Sequence, residues 1–391
     1  MNLQEIQQKL SASNLDGWLF CDHHHRDEIA YAILNLDPKK MTSRRWFYFI
    51  PASGSPTKIV HNIESARLDS LPGETIHYSS WRDLHKFLNT VIHDKTIAMQ
   101  YSPDNNIPMI SLIDGGTIDL IRSFGAAIVS SADFVQYFLA RLDRESIDLH
   151  IQAGELVQKI KDEAFELVST SLKEKKYKTE YEIQQFILRR FAEESLTCGE
   201  HAPIVAVNEH AADPHFEVNA DHPCFIKEND RLLIDLWAKL DQPKGVYYDI
   251  TWCAYAGNHP PEEYKQLFAI VVQARKLAKQ LITDRFRTNE PIFGYEVDEA
   301  VRHYITKHGY GDYFTHRTGH SIGGEVHGIG ANIDNLETKD ERRLIPGLCF
   351  SIEPGIYKPP IGVRTEIDLY IDYDGAVCSQ GPEQEVLLLL L

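Results

Sequence analysis

This chain has little positive charge, few cysteines and no long apolar run, and each shortage argues against a class of function. Lysine and arginine total 40 against 57 acidic residues, a formal net charge of −17 over 391 residues. Affinity for phosphate comes from clustered cations, so the balance argues against a nucleic-acid partner and against an anionic membrane surface. The six cysteines, Cys21, Cys198, Cys224, Cys253, Cys349 and Cys378, are scattered without a Cys-x-x-Cys pair. They read as buried reduced thiols, not as a disulfide framework. The apolar run from Val386 to Leu391 falls far short of the ~20 residues needed to cross a bilayer; it reads as a last strand or an apolar tail packed on a neighbour. The opening MNLQEIQQKLSASNLDG has the pattern of an amphipathic helix and not the basic-then-apolar pattern of a secretory signal, so a cytoplasmic protein is expected.

What is present suggests two domains, since the chain exceeds one usual core and has apolar content for both. Up to about residue 144, short β-like runs (GWLF, RRWFYFIP, TKIVHN, TIAMQY, AAIVSS) alternate with helical segments such as WRDLHKFLNTVI. That rhythm predicts an α/β domain with a mixed or parallel sheet. From 145 to 391 the pattern becomes helix pairs followed by strands, and it occurs twice. Residues 148 to 174 and 179 to 195 have helical periodicity and precede RLLIDLWAKL and YYDITWCAYAG; helices over 261 to 284 and 295 to 308 precede CFSIEPGIY and IGVRTEIDLYI. An α+β domain with pseudo-two-fold internal symmetry is the expectation.

The chemistry-bearing residues sit on those strand-like segments and, for the histidine, in HRTGHSIGGEVHG. Asp235, Asp249, His320, Glu353 and Glu366 follow one another in the order Asp, Asp, His, Glu, Glu, each carboxylate among apolar or β-branched neighbours. A buried carboxylate is costly unless a cation or a proton partners it. Carboxylates with a single imidazole suit Mn²⁺, Fe²⁺, Co²⁺ or Zn²⁺, and the set is large enough for two ions.

These blocks resemble the superfamily of aminopeptidase P, prolidase and methionine aminopeptidase, from about Asp143 to the C-terminus. All five ligand positions carry the expected residue types, and His316, His320 and His327 reproduce the family's spaced histidines. The resemblance implies a pita-bread catalytic domain, preceded by a creatinase-like N-terminal domain. It implies a dinuclear metallopeptidase that cleaves the Xaa-Pro bond at the N-terminus of peptides or in dipeptides, with manganese first and zinc, cobalt or iron as alternatives. By the same resemblance Asp235 binds one ion, Asp249 and Glu366 bridge, and His320 with Glu353 completes the second site. Glu353 is then the proton shuttle, His327 and His215 approach the scissile carbonyl, and His316 lies on the leaving-group side. Arg364, Tyr357 and Thr251 are expected to fix carboxylate orientation. A homodimer is the family expectation. One departure bears on pocket shape: where many members carry Asp-Ala-Gly, this chain has Asp235-Leu236-Trp237.

Plainer readings compete for each residue. Turn acids seldom sit in Leu-Leu-Ile-Asp-Leu-Trp; His320 alone would be a core or loop histidine; Glu366 with Arg364 could be a cross-strand ion pair. Jointly they fit a site better than coincidence. His23-His24-His25 reads as a polar loop, because adjacent strand residues point to opposite faces, and His201 and His210 read as loop residues near the cleft. Two other functions stay open. One is a metal-dependent hydrolase or lyase of a small metabolite on the same fold. The other is a non-catalytic interaction module, for which loss of ligands would be the signature, and none is lost.

Overall fold

The computed structural model describes every residue from Met1 to Leu391. Two compact units divide the chain, Met1–Leu139 and Ala140–Leu391. The division falls a few residues before Arg144, because Ala140 and Leu142 already belong to the apolar clusters of the second unit. No helix is long and apolar enough to cross a membrane.

The first unit is a six-stranded mixed sheet. Its strands are β1 (Gly17–Asp22), β2 (Trp46–Pro51), β3 (Thr57–His61), β4 (Glu74–Tyr78), β5 (Thr96–Met99) and β6 (Ala127–Ser130), in the order β4-β3-β2-β1-β5-β6. β1 and β2 are buried along nearly their whole length, as strands covered on both faces must be. Helices α1 (Leu3–Ala12), α2 (Glu28–Leu34), α3 (Trp81–Ile92), α4 (Gly115–Ser123) and α5 (Ala132–Val135) connect them. Side chains of Asn2, Asp27, Ser80 and Asp114 cap the first four, each accepting a backbone N–H that the helix leaves unpaired. After β1 the chain turns through His24 and His25, both at positive φ. Asp22 accepts the backbone N–H of His25, Arg26 and Asp27 there, so the histidine run is a polar loop as its sequence suggested.

The second unit repeats one pattern. Helices α6 (Arg144–Lys173) and α7 (Glu180–Glu193) precede the short strands β7 (Leu196–Thr197) and β8 (Ile204–Val207) and the long hairpin β9 (Arg231–Leu240) and β10 (Tyr248–Tyr255). Helices α8 (Glu262–Thr288) and α9 (Gly294–Lys307) then precede β11 (Ser321–Ile322), β12 (Cys349–Ile352), β13 (Gly355–Lys358), β14 (Ile361–Arg364), β15 (Ile367–Ile371) and β16 (Val377–Ser379). Both halves are helix, helix, strands. α7 opens with a full capping box between Thr179 and Glu182, the arrangement that Thr-x-x-Glu encodes. α6 can lie close on the hairpin because residue 154 is glycine: a Cβ there would stand 2.7 Å from the Tyr248 ring. The last residues form β17 (Leu388–Leu389), which pairs in parallel with β10 at Ala254 and Tyr255. The apolar run at the end of the sequence is therefore a strand.

Candidate metal centre

The β9–β10 register builds the first half of the site. Asp249 stands across from Trp237 and Thr251 across from Asp235. Residues two apart on a strand share a face, and so do residues directly opposed across an antiparallel ladder. Asp235, Trp237, Asp249 and Thr251 therefore project together. The second half comes from the sheet β11-β12-β15-β16. Glu366 enters β15 and Glu353 leaves β12, while His320 precedes β11. His320 is brought in by a close backbone approach at residue 319, where a Cβ would lie 2.0 Å from the Ser351 carbonyl oxygen; only glycine fits. Ser351 completes the join, accepting the His320 backbone N–H at 2.9 Å and donating its hydroxyl to Glu353 at 3.2 Å.

Three of the four expected acid ligands gather around His320, and the fourth, Asp235, shares a strand face with Asp249. One ligand atom each from Asp249, His320 and Glu366 all lie within 4.8 Å of one another. His320 Nε2 is 3.4 Å from Glu353 Oε1 and 3.7 Å from Asp249 Oδ2. Its Nδ1 lies 3.2 Å from the Ser321 carbonyl oxygen, and only a protonated Nδ1 can donate there. With Nδ1–H so used, the neutral ring turns a lone pair on Nε2 toward two carboxylates. Burial, with His327 and Arg317 nearby, holds His320 well below the usual imidazole range, so the ring stays a neutral donor.

A lone pair facing two carboxylates is an arrangement of acceptors without a donor. Three further oxygens share the predicament: Oδ1 of Asp235, Oδ1 of Asp249 and Oε1 of Glu366 are buried and have no hydrogen-bond partner. Buried acceptors left unpaired each cost about 1–3 kcal/mol. Burial raises all four acids, pushing Glu353 up to about 7 and lifting Asp235, Asp249 and Glu366 above their ordinary values, with mutual repulsion adding to the last two. Either protons or cations must fill such a cluster. A set of hard oxygens with one neutral imidazole nitrogen fits divalent metal ions.

One internal cation offsets part of the charge. Arg364 is buried, donates from its NH2 group to Asp235 Oδ2 and from Nε to Thr251 Oγ1 at 3.0 Å, and reaches Tyr357 Oη at 3.0 Å and the Pro214 carbonyl at 3.2 Å through NH1. Thr251 in turn donates to Glu366 Oε2 at 2.7 Å. Thr251 therefore orients Glu366 and Arg364, not the neighbouring Asp249, because its hydroxyl reaches across to β15.

The histidines divide in a way the sequence did not show. His215 and His327 are exposed, and the two rings of His320 and His327 meet edge to face at 4.4 Å. The Nδ1 of His316 lies 2.7 Å from the Arg317 carbonyl and its Nε2 2.7 Å from Tyr357 Oη. With Nδ1–H donated to the carbonyl, Nε2 accepts the Tyr357 hydroxyl, whose oxygen already accepts from Arg364. Both ring nitrogens therefore have protein partners in this structure, Tyr357 and the Arg317 carbonyl.

A model of the metallopeptidase family M24 matches residues 151–373. The chain belongs to metallopeptidase family M24. An Xaa-Pro dipeptidase of Pyrococcus furiosus is 33% identical to this metallopeptidase over 185 residues, 47% of this chain and 48% of that one. Among solved structures, the dipeptidase PepE of Mycobacterium ulcerans superposes with a TM-score of 0.64 at 20% identity, covering 99% of this chain and 96% of its own. An X-prolyl aminopeptidase of Caenorhabditis elegans, described as a cytosolic enzyme with a di-nuclear active site, has a TM-score of 0.60 at 17% identity, covering 97% of this chain and 60% of its own. The second unit has the pita-bread fold and follows the α/β unit in the chain.

Two residues of this M24 site escaped the sequence reading. Asp368, two residues beyond Glu366 on the same face of β15, is buried and accepts the Asp249 backbone N–H at 2.8 Å, leaving Oδ1 without a partner. The Glu-x-Asp spacing on a strand was the available signal. Asp298 of α9 accepts the Thr318 N–H at 2.9 Å, the Thr318 hydroxyl at 2.6 Å and the Asn335 N–H at 2.8 Å. It thereby anchors the segment from His316 to His320, and nothing in its helical pattern announced that.

Proposed function

We propose that this metallopeptidase hydrolyses the Xaa-Pro peptide bond, at the N-terminus of peptides or in dipeptides, using two divalent metal ions. The observation that carries the reading is the gathering of buried carboxylates around the free Nε2 of His320, in a cluster where three carboxylate oxygens have no hydrogen-bond partner. Asp235, Asp249, His320, Glu353 and Glu366 would hold the ions, manganese being the proposed pair. Bound there, divalent ions lower the pKa of water toward neutrality and polarise the scissile carbonyl.

The rest falls to the protein's own side chains. Glu353 has the most exposed carboxylate among the acids for which His320 is a neighbour, at 14% against 6% for Asp249. It takes the proton of the attacking water and delivers it to the proline nitrogen, a tertiary amide that leaves poorly unless protonated. His327 and His215, exposed and free of internal partners at their ring nitrogens, donate to the carbonyl oxygen as its charge develops. Arg364 holds Asp235 and, through Thr251, Glu366 in place while the charge of the site changes. A cytoplasmic location and a homodimer complete the proposal.

The test is metal content measured together with Mn²⁺-stimulated cleavage of paired Xaa-Pro dipeptides and Xaa-Pro-Xaa tripeptides. Dipeptide cleavage alone assigns a prolidase, and tripeptide cleavage an aminopeptidase. Two bound ions with neither substrate cut would overturn the Xaa-Pro assignment in favour of a small-metabolite hydrolase.

A further inference from the structure

Apart from the catalytic acids, a second set of metal-type donors lies at the start of α7. Glu180 is 1% exposed. Its Oε1 accepts the Val207 backbone N–H at 2.7 Å and lies 2.8 Å from His210 Nδ1, and its Oε2 accepts the Cys224 backbone N–H at 3.2 Å. His210 is stacked on Phe216, with centroids 4.3 Å apart and planes at 20°. Its tautomer follows from these contacts: Nδ1–H donates to the carboxylate, and Nε2 keeps a lone pair. That lone pair has one neighbour, Cys224 Sγ at 4.0 Å.

A carboxylate that orients an imidazole whose other nitrogen is free is the usual support of a histidine metal ligand. The N···S separation also fits. Zinc bonds of about 2.0–2.1 Å to nitrogen and about 2.3 Å to sulfur, at a tetrahedral angle, place the two donors about 3.6 Å apart. A nucleophilic thiol is the competing reading, and electrostatics disfavours it. Cys224 faces the carboxylates of Glu180, Glu209 and Asp230 against the single cation Lys227, which with burial holds its thiol above the ordinary range. The field that opposes a lone thiolate attracts a cation.

Position gives the site a consequence. His210 and Cys224 are 14 residues apart, and His215 lies between them. Near His210 the chain is pressed onto β14, where a Cβ on Gly362 would stand 1.6 Å from the Ala211 carbonyl oxygen. Pro214 accepts from Arg364. His215 acts electrostatically on Asp235, His316 and His327. A bond across the two ends would close this loop beside the catalytic centre.

We propose that His210 Nε2 and Cys224 Sγ, with Glu180 orienting the imidazole, bind a soft divalent cation such as Zn²⁺ and thereby staple the loop that carries His215. On binding, Sγ–H loses its proton to solvent as the sulfur–metal bond forms, and Nε2 donates its lone pair without proton loss. The probe is Cd²⁺ added to the full-length Mn²⁺-loaded enzyme, followed by the ultraviolet sulfur-to-cadmium charge-transfer band. No proposed catalytic ligand carries sulfur, so the band reports a thiolate alone, whatever peptides the enzyme cleaves. A saturable band with one Cd²⁺ per chain is expected, absent in Cys224→Ser and weakened by about tenfold or more in affinity in His210→Ala. Hydrogen exchange over residues 213–224 should slow with Cd²⁺ in the wild type and not in Cys224→Ser, while turnover of the Mn²⁺-loaded Cys224→Ser enzyme stays unchanged. Absence of the band, or its persistence in Cys224→Ser, would overturn the site; unchanged exchange with Cd²⁺ bound would overturn the staple.

Discussion

Replacing Thr251 with valine removes one oxygen and almost no volume from the metal centre. The Thr251 hydroxyl is fully buried, donates to Glu366 Oε2 at 2.7 Å and accepts from Arg364 Nε at 3.0 Å. Arg364 is charged, and a hydrogen bond to a charged group contributes about 1.5–3 kcal/mol against about 0.5–1.5 kcal/mol for one between neutral groups. The loss should not reach the sum of two, because Arg364 keeps Asp235, Tyr357 and Pro214. A destabilisation of about 2–3 kcal/mol is expected, read by urea denaturation of the metal-free protein. The larger effect is on metal binding. Glu366 loses the group that aims one of its oxygens, and removal of such an outer partner typically lowers metal affinity about 10- to 100-fold. Mn²⁺ affinity measured by chelator competition should fall by that factor in Thr251→Val and be restored in Thr251→Ser, which keeps the hydroxyl. Turnover at saturating Mn²⁺ should change much less. Wild-type Mn²⁺ affinity in Thr251→Val would refute the assignment of Glu366 as a ligand held by Thr251.

Other perturbations separate the remaining roles. His327→Ala should lower kcat about 100-fold or more with metal content unchanged, since an exposed donor acts on substrate; loss of both ions by elemental analysis would make His327 a ligand instead. Trp237 stands across the ladder from Asp249 with its indole N–H donated to the Cys198 carbonyl at 3.1 Å, and from that position it is expected to wall the substrate cleft. Trp237→Gly should raise kcat/KM for bulky over small residues before proline by about tenfold or more; an unchanged ratio in a metal-loaded variant would remove Trp237 from the wall. In the N-terminal unit, burial pushes Asp27 up to about 7. A carboxyl raised on folding contributes stability that is present at low pH and is lost as pH rises through about 7. Stability measured by urea denaturation should therefore decline between about pH 4 and 7 by at most about 1.4 kcal/mol per pH unit from this group and level off above, and Asp27→Asn should flatten that decline.

How much of this was legible beforehand differs from residue to residue. The four acids of the proposed ligand set were readable because each lies in or beside an apolar strand, where a bare acid has no ordinary reason to be, and His320 because its spacing with His316 and His327 resembles the family's. The helix pairs were readable from period and caps, and the observed bounds differ from the expected ones by a few residues at the ends. His316 has the type and spacing of a substrate-facing histidine, and only the tertiary structure shows that Tyr357 and the Arg317 carbonyl lie within hydrogen-bond reach of its nitrogens. Asp368 carried a signal in its Glu-x-Asp spacing that went unused, and Asp298 was overlooked because a single acid on a helix has no local mark of the loop residues it meets, Thr318 and Asn335.

The sequence by itself determined the elements, the division into an α/β unit and a twice-repeated catalytic pattern, and the identity of the acids and histidine that meet. The elements and the division follow from composition, periodicity and burial preference, which are local properties of the chain, and the set of acids and histidine follows from the chain's resemblance to a known family. Only the tertiary structure decided which oxygens are left without a donor, which histidine nitrogens are free, and that Glu180, His210 and Cys224 come together. Each of those depends on distances between segments far apart in the chain, and hydrogen bonds act over about 3 Å, a scale that residue order alone does not encode.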